Sequence, residues 1–409
     1  MKPNAIKIKD FNYLLPNEKI AVFPLANRDD SKLLIVENDT LKEDIYRNLG
    51  TYLPPECTLV FNNTKVIEAR LLFQKPSGAT IEIFLLEPTE IISNYETALA
   101  QNESSIWNCM VGGAGKWKHG TILEKTISIN NIQFILTATI IDKQSTNFII
   151  SFNWQPSSLS FAEILHQFGN IPLPPYIKRQ AEASDSIRYQ TVYAKNAGSV
   201  AAPTAGLHFT PALLEDLEQQ NIRQLQLTLH VGAGTFKPVT AETLADHSMH
   251  AELIEVEIDI IEKLAKLDGV YAVGTTALRS LESLYWMGVK IAIDPTISPE
   301  NLHINQWEIY EKLESFNYSA NDALNHLLSW MKKNQLQCLV AKTQLLVTPG
   351  YKFKMIKGLI TNFHQPQSTL LLIIAALCGD NWKMIYQYAL DHNFRFLSYG
   401  DGCLIKYRD

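Results

Sequence analysis

From Ala197 to Gly206 the chain runs for ten residues without a charge: three glycine or serine positions, four alanines and one proline, with Val200 and Thr204 between them. A surface loop of that length ordinarily carries Asp, Lys or Glu. A run of small uncharged side chains instead lets backbone lie close against packed chain or against a ligand. Close packing alone also selects Gly and Ala, so the run marks where the backbone is crowded and leaves both occupants open. It follows Asn170–Arg179 and Tyr189–Asn196, passes through His208 to Thr210, and leads on to His230-Val-Gly-Ala-Gly234.

The 409 residues exceed one ordinary core and suffice for two or three domains. With 46% hydrophobic and 19% charged residues, a folded globular protein is expected rather than a disordered one. Met1–Asp10 lacks the apolar stretch of a secretory signal. The apolar run Thr369–Cys378 is about half a bilayer span, which predicts a buried helix or strand and no membrane partner. Cys57, Cys109, Cys338, Cys378 and Cys403 form no Cys-x-x-Cys pair. That spacing fits a reducing cytoplasm and offers no metal framework. The net charge of −6 gives no general affinity for nucleic acid, but a local basic face remains open at Lys178-Arg179 and at Lys352, Lys354 and Lys357.

Leu33–Val36 and Leu59–Phe61 read as short buried strands, the second ending at the turn-forming Asn62-Asn63-Thr64. From about 71 to 153 the texture is β-rich: Ala79–Leu86, Thr121–Ile129, Ile132–Ile140 and Asn147–Phe152 alternate, with no convincing helix between them. This predicts a small antiparallel barrel or sandwich inserted into the chain. Gly112–Gly115 lies inside it, followed by another strand, so it is not a dinucleotide loop. After a short helix at Phe161–Phe168 the pattern becomes α/β. Thr210-Pro211 opens a helix, as cap and first-turn proline. Strands are expected at Leu225–Val231, Leu253–Ile258, Val270–Gly274 and Leu345–Val347. Helices are expected at Thr243–Met249, Ile260–Leu267, Ala277–Trp286 and Asn321–Lys333. The fold class is therefore α/β: a mixed, largely parallel sheet with helices (residues 1–70 and 154–409) and the inserted antiparallel β-barrel (71–153). Residues from about 288 to 338 read as a further insertion.

Polar clusters stand where strands should end: His230–Gly234, Gly274-Thr275-Thr276, Pro349–Tyr351, Thr361–His364 and Ser398–Asp401. In open α/β sheets the carboxyl ends of strands form the ligand crevice, so five such ends predict a shared site. Histidines are the natural acid–base groups near neutrality, which singles out His208, His230, His250 and His364. His247 and His250, three apart beside Glu252, have a spacing that could hold a metal on a helix, but no third ligand is evident and no metal is expected. Arg279, at the opening of a helix, could grip a carboxylate or phosphate; an ordinary ion pair is the other reading.

Taken together, Asp10–Pro16, Arg28–Ser31, Phe61–Val66, Asn170–Arg179, Tyr189–Thr210, His230–Phe236, His247–Glu252, Val273–Ser283, Pro349–Lys354, Ile360–His364 and Phe394–Asp401 resemble the S-adenosylmethionine:tRNA ribosyltransferase-isomerase family. The motifs run in family order from end to end. The resemblance implies transfer and isomerisation of the ribosyl part of S-adenosyl-L-methionine onto 7-aminomethyl-7-deazaguanine at the wobble position of tRNA. Epoxyqueuosine-tRNA, adenine and methionine are the products. It implies S-adenosyl-L-methionine as a substrate, no metal or redox cofactor, an α/β domain with an inserted β-barrel, a tRNA partner and a monomer or homodimer.

That chemistry needs a base for the proton on the carbon beside the sulfonium, which the sulfur acidifies. His208, His230 or His250, with Glu252, are the candidates for acid–base work. Thr204, Gly206, Gly232, Gly234, Thr275, Thr276, Arg279, Asn362, His364, Tyr399 and Asp401 are the substrate-binding candidates. Lys178, Arg179, Lys352 and Lys354 are the tRNA-binding ones. The sequence departs from the family at Asn63 and Lys65, where Asp and Arg are usual, and at Gln365-Pro-Gln367 in place of Leu-Pro-Lys. Arg-to-Lys is not conservative at a forked contact. These changes leave two further readings: an enzyme of the same fold with another acceptor, and a non-catalytic RNA-binding relative.

Overall fold

The computed structural model describes residues 3–37, 40–89, 95–144, 147–232 and 241–407. Its largest element is a nine-stranded sheet, in the order Cys338–Thr343, Glu252–Glu257, Arg223–His230, Thr58–Asn62, Val270–Val273, Ile356–Asn362, Gly402–Lys406, Lys32–Glu37 and Thr40–Ile45. The four strands from Arg223–His230 to Ile356–Asn362 run parallel, and so do Gly402–Lys406 and Lys32–Glu37; the remaining pairings are antiparallel. The sheet is mixed, as expected, but its pairings divide evenly between parallel and antiparallel instead of being largely parallel. Parallel pairing needs a long crossover, whereas Glu37 and Thr40 are only three positions apart in the chain and pair antiparallel.

Strand residues alternate between two cores. Leu33, Ile35, Leu59 and Phe61 pack with Phe209, Leu213 and Leu217, the last two on the helix Pro211–Gln219. Leu34, Val36 and Val60 face the larger core under the helices Thr275–Ile293, Ala320–Lys333 and Thr369–Cys378. Both faces are covered, which is why these strands read as unbroken apolar runs. The helix starts carry the anticipated caps: the Thr210 hydroxyl accepts from the Leu213 N–H at 3.1 Å, with Pro211 in the first turn. Ser160 and Glu163 form a reciprocal capping box before Phe161–Phe168.

A second sheet of seven strands is antiparallel throughout, ordered Gly169–Asn170, Arg70–Gln74, Thr80–Pro88, Ser104–Gly112, Phe148–Gln155, Ile132–Lys143 and Leu123–Ile129. It curls: Lys125, on one edge strand, donates to the Phe168 carbonyl beside the other at 3.1 Å. Its concave face holds its own core, including Phe73, Trp107, Phe152 and Phe161.

Four expectations fail for identifiable reasons. A helix, Tyr95–Ala100, interrupts the β-rich stretch, and its Tyr95, Ala98 and Leu99 are buried by tertiary packing. Thr243–Met249 is only a single turn at Leu244–Asp246; beyond it the Gln306 and Gln344 amides bond the backbone of His247 and Met249 and hold it extended. Leu345–Val347 is buried but irregular, the strand lying earlier at Cys338–Thr343. Gly288 lies inside the helix Thr275–Ile293, so this helix continues without a break into the stretch read as an insertion. Thr369–Cys378 is a helix followed, after one turn, by Trp382–Asp391. Together they are long and apolar enough to cross a membrane, yet Leu371, Ile373, Ile374, Trp382 and Tyr386 are packed into the main core.

Candidate functional site

The parallel strands Arg223–His230, Val270–Val273 and Ile356–Asn362 end at one edge of the sheet, and a cleft opens there. Its walls are the small-residue run at Ala201–Ala205, Val231, Gly274–Thr276, Thr361–Gln365, and Leu397-Ser398, closed on one side by Tyr176 and Tyr189. The uncharged run thus packs and lines at once. Ser199 is the packing part: its hydroxyl accepts from the Val231 N–H at 3.0 Å. Gly206 is too, since a Cβ there would stand 1.9 Å from the Tyr193 hydroxyl. Ala201–Ala205 face the cleft.

Thr275 and Thr276 open a helix at the end of a strand. Gly274 makes that turn at φ +89° and ψ 153°, a conformation open to glycine and strained for other residues. The Thr276 hydroxyl is buried and has no hydrogen-bond partner among the described residues, an arrangement that costs stability unless a further group completes it.

Asn362 is the centre of a directed network. Its Oδ1 accepts from the Thr204 hydroxyl at 2.8 Å, which turns its amide nitrogen toward His208 Nε2, 3.1 Å away. His208 therefore accepts at Nε2 and carries its proton on Nδ1. It stacks on Tyr46 at 4.1 Å and lies behind Asn362, outside the cleft walls. Burial, reinforced by Arg395, pushes its pKa down to about 3. His364 does line the cleft, bonded through Nε2 to the Thr361 hydroxyl at 3.0 Å, and burial likewise lowers it to about 3. Both rings are neutral at physiological pH.

His230 sits one residue before the cleft-lining Val231. Its Nδ1 is 3.2 Å from the Thr64 hydroxyl, its Nε2 is 3.5 Å from a Glu255 carboxylate oxygen, and its ring stacks on Tyr95. Gly198 makes room for it: a Cβ there would come within 2.7 Å of Nδ1. Glu252 and Arg279 are both buried and form an ion pair; Arg279 Nε also donates to the Leu345 carbonyl at 3.0 Å, while Nη2 is buried with no hydrogen-bond partner among the described residues. Arg279 is one helical turn beyond the cleft-lining Thr275 and Thr276.

Other candidates lie apart from the cleft walls. The Asp401 carboxylate is occupied internally, accepting from the Lys32 and Arg395 backbone N–H groups at 3.0 and 2.7 Å and from the Arg395 guanidinium. The Tyr399 hydroxyl donates to Asp185 at 2.8 Å. His250 is exposed on the extended segment, and the His247–His250 pair has no helix to hold it. Among the described residues no group of three His, Cys, Asp or Glu side chains could hold a metal ion. Gly232 has open space where a Cβ would be; Gly234 falls outside the described residues.

The basic candidates separate into two places. Arg179 grips Asp185 with two hydrogen bonds of 2.6 and 2.8 Å, directly after the exposed Lys178 and three residues from the cleft-lining Tyr176. Lys352 and Lys354 precede the strand Ile356–Asn362, whose far end makes the cleft, about 20 Å away along the strand. Of the unusual residues, Gln365 lines the cleft, Asn63 is buried and accepts from the Thr228 hydroxyl at 2.7 Å, and Lys65 is exposed. Sequence reasoning missed Tyr176, Tyr189 and Gln365 as cleft residues. The two tyrosines stand within quoted motifs, but nothing local marks which side chain of a motif turns inward.

A family model described as "Queuosine biosynthesis protein" matches residues 8–405. The chain is 37% identical to the S-adenosylmethionine:tRNA ribosyltransferase-isomerase of Halothermothrix orenii, over 98% of this chain and 100% of that protein. It is also 37% identical to the enzyme of the same name from Legionella pneumophila, over 97% and 99%. Among solved structures, the S-adenosylmethionine tRNA ribosyltransferase of Thermotoga maritima is 26% identical, with 97% of this chain and 99% of that one covered and a TM-score of 0.44.

Proposed function

Since the chain belongs to the queuosine biosynthesis family, matched over residues 8–405, we infer that it acts as an S-adenosylmethionine:tRNA ribosyltransferase-isomerase. The acceptor in this reading is the aminomethyl group of 7-aminomethyl-7-deazaguanine in tRNA, and S-adenosyl-L-methionine is consumed as the ribosyl donor. The observation that carries the reading is the end-to-end family match, together with a cleft at the carboxyl ends of parallel strands walled by its motifs.

S-adenosyl-L-methionine occupies the cleft, with its polar groups against Thr276, Asn362 and His364. The unpartnered Thr276 hydroxyl supports this seat. Asn362 presents an amide whose orientation is already fixed by Thr204 and His208, so no reorganisation is needed when a ligand arrives. Neutral His208 and His364 act as hydrogen-bonding groups, because a ring with a pKa near 3 is a weak base at neutral pH. The proton beside the sulfonium falls to His230, whose neighbouring Glu255 carboxylate stabilises the imidazolium that forms. Removal of that proton allows the ribosyl unit to rearrange as adenine departs. The neutral acceptor amine takes the ribosyl carbon, and methionine leaves with the sulfur. Arg279, held by Glu252, supplies positive charge beneath the cleft for the carboxylate of the methionine part. The discontinuous α/β unit and the inserted barrel complete the reading, in a cytoplasmic protein working as a monomer or homodimer.

Adenine release from S-adenosyl-L-methionine, with tRNA carrying aminomethyl-deazaguanine and in parallel with tRNA carrying guanine, tests the reaction. Release with the modified tRNA alone is expected; no release with either from folded protein would overturn it. A second measurement tests His230: solvent deuterium should enter the carbon beside sulfur with the native chain and not with His230→Gln. Undiminished exchange in that variant would remove His230 as the base.

A further inference from the structure

Phe23 is 49% exposed, an unusual position for a phenylalanine, and it is not alone: Val22 is 39% and Ile187 71% exposed. One face of the Phe23 ring is covered by the Arg179 guanidinium, 4.3 Å from the ring centre. That guanidinium cannot swing away. It is fixed by the two-pronged Asp185 contact and by donating from Nε to the Val22 carbonyl at 2.9 Å. The ring thus rests on a rigid cationic base while half of its own surface meets solvent.

The surroundings carry uncommitted positive charge. Among the described residues Arg28 donates to the carbonyls of Gln190, Leu207 and Ile187, and Arg188 to those of Leu25 and Ala26, and neither is hydrogen-bonded to a carboxylate. Lys178 is exposed. Of the acids nearby, Asp185 is already paired with Arg179, Asp29 and Asp30 with Arg47, and Asp401 with Arg395, which leaves the exposed Glu182. The patch also adjoins the cleft: Arg188 precedes the lining residue Tyr189, and the Phe23 carbonyl accepts from Arg395, two residues before the lining Leu397.

We propose that Phe23 on Arg179 is a stacking platform for an unpaired nucleobase of the tRNA loop, one that flanks the base entering the cleft. This rests on the tRNA-modifying reading above and names the place where the RNA docks. An exposed aromatic ring beside cationic side chains is the arrangement that binds unstacked bases in single-stranded RNA, since every base has a π-face and every linkage a phosphate. Charge complementarity selects a polyanion over a second copy of this chain docked through the same patch, which would set Arg28, Lys178 and Arg188 against their own copies.

The test compares the native chain with Phe23→Ala, Phe23→Trp and Lys178→Ala. It reads the Kd for tRNA by filter binding across a salt series, the KM for S-adenosyl-L-methionine, and the sedimentation of the protein alone. Phe23→Ala should weaken tRNA binding roughly tenfold, within the range for one base stacked on an aromatic ring, with no change in salt slope because no charge is removed. Phe23→Trp should bind as the native chain does. Lys178→Ala should flatten the log–log salt slope by about 0.7, one phosphate's worth on single-stranded RNA. The KM for S-adenosyl-L-methionine should not move with Phe23. Native tRNA affinity in Phe23→Ala would overturn the proposal. So would a weakening that Phe23→Trp fails to restore, or loss of self-association with tRNA affinity intact, which would assign the patch to a second copy. A native chain that binds tRNA without releasing adenine contradicts the reaction and leaves the binding comparison to decide the platform.

Discussion

The Thr204–Asn362–His208 chain shows how much a single hydroxyl can determine. The Thr204 donor, seconded by a longer contact of 3.5 Å from the Asn362 amide nitrogen to the Asp401 carbonyl, fixes which end of the Asn362 amide meets His208. Thr204→Val leaves a buried carbonyl oxygen unpaired and should cost about 1–3 kcal/mol of stability, read by chemical denaturation. It should also raise the KM for S-adenosyl-L-methionine. His208 and His364 titrate near pH 3 when folded, against about 6.5 in an unfolded chain. The unfolded state binds more protons between those values, so stability falls as pH drops from about 6.5 toward 3, by roughly 1.4 kcal/mol per pH unit for each ring. Glu282 works in the opposite sense: burial raises its carboxyl to about 7, so its contribution is present at low pH and is lost as pH rises through 7. His364→Gln should reduce proton uptake on unfolding near pH 5.5 by about one, measured from the pH dependence of denaturation midpoints. The histidines could be found in the sequence as residues of interest. That burial makes two of them neutral hydrogen-bonding groups could not, because desolvation depends on distant chain.

At the scale of elements, capping chemistry was legible because it is local: Thr210-Pro211 and Ser160–Glu163 start helices where their side chains say they should. The helix expected at Ala277–Trp286 runs on to Ile293, and its end was illegible for the opposite reason. Gly288 looks like a helix end, yet it lies inside Thr275–Ile293, where a Cβ would stand 2.1 Å from the Ala323 carbonyl oxygen on the crossing helix Ala320–Lys333. The glycine is there for close helix approach. Gly288→Ala should force the two helices apart and destabilise the protein by about 1–3 kcal/mol, measured by thermal and chemical denaturation. A cost below 0.5 kcal/mol would mean that the crossing adjusts freely.

Across the whole molecule, net charge is a poor guide to local charge, since the acidic total of −6 coexists with a basic patch around Arg28, Lys178 and Arg188. The two lysine-bearing stretches differ by position: Lys178 belongs to the cleft rim, while Lys352 lies at the other end of the strand that leads to the cleft. Lys352→Ala should leave the salt slope of tRNA binding at its native value while Lys178→Ala flattens it, as read by filter binding at several salt concentrations. Equal flattening in both would place the RNA across the length of the sheet.

The sequence alone determined the properties that are covalent or nearest-neighbour in origin. These are the apolar runs of the buried strands, the helix caps, the family motifs and their order, and the polar clusters at strand ends. Only the tertiary structure decided which of those clusters meet. Asn362, His364, Thr275 and Thr276 converge because parallel strands finish at one edge, whereas Asp401 and Tyr399 are turned inward to internal partners. Side-chain direction and burial follow from packing between segments hundreds of residues apart, as with Tyr46 against His208. No local pattern encodes such a contact, because its energy exists only once both cores have formed.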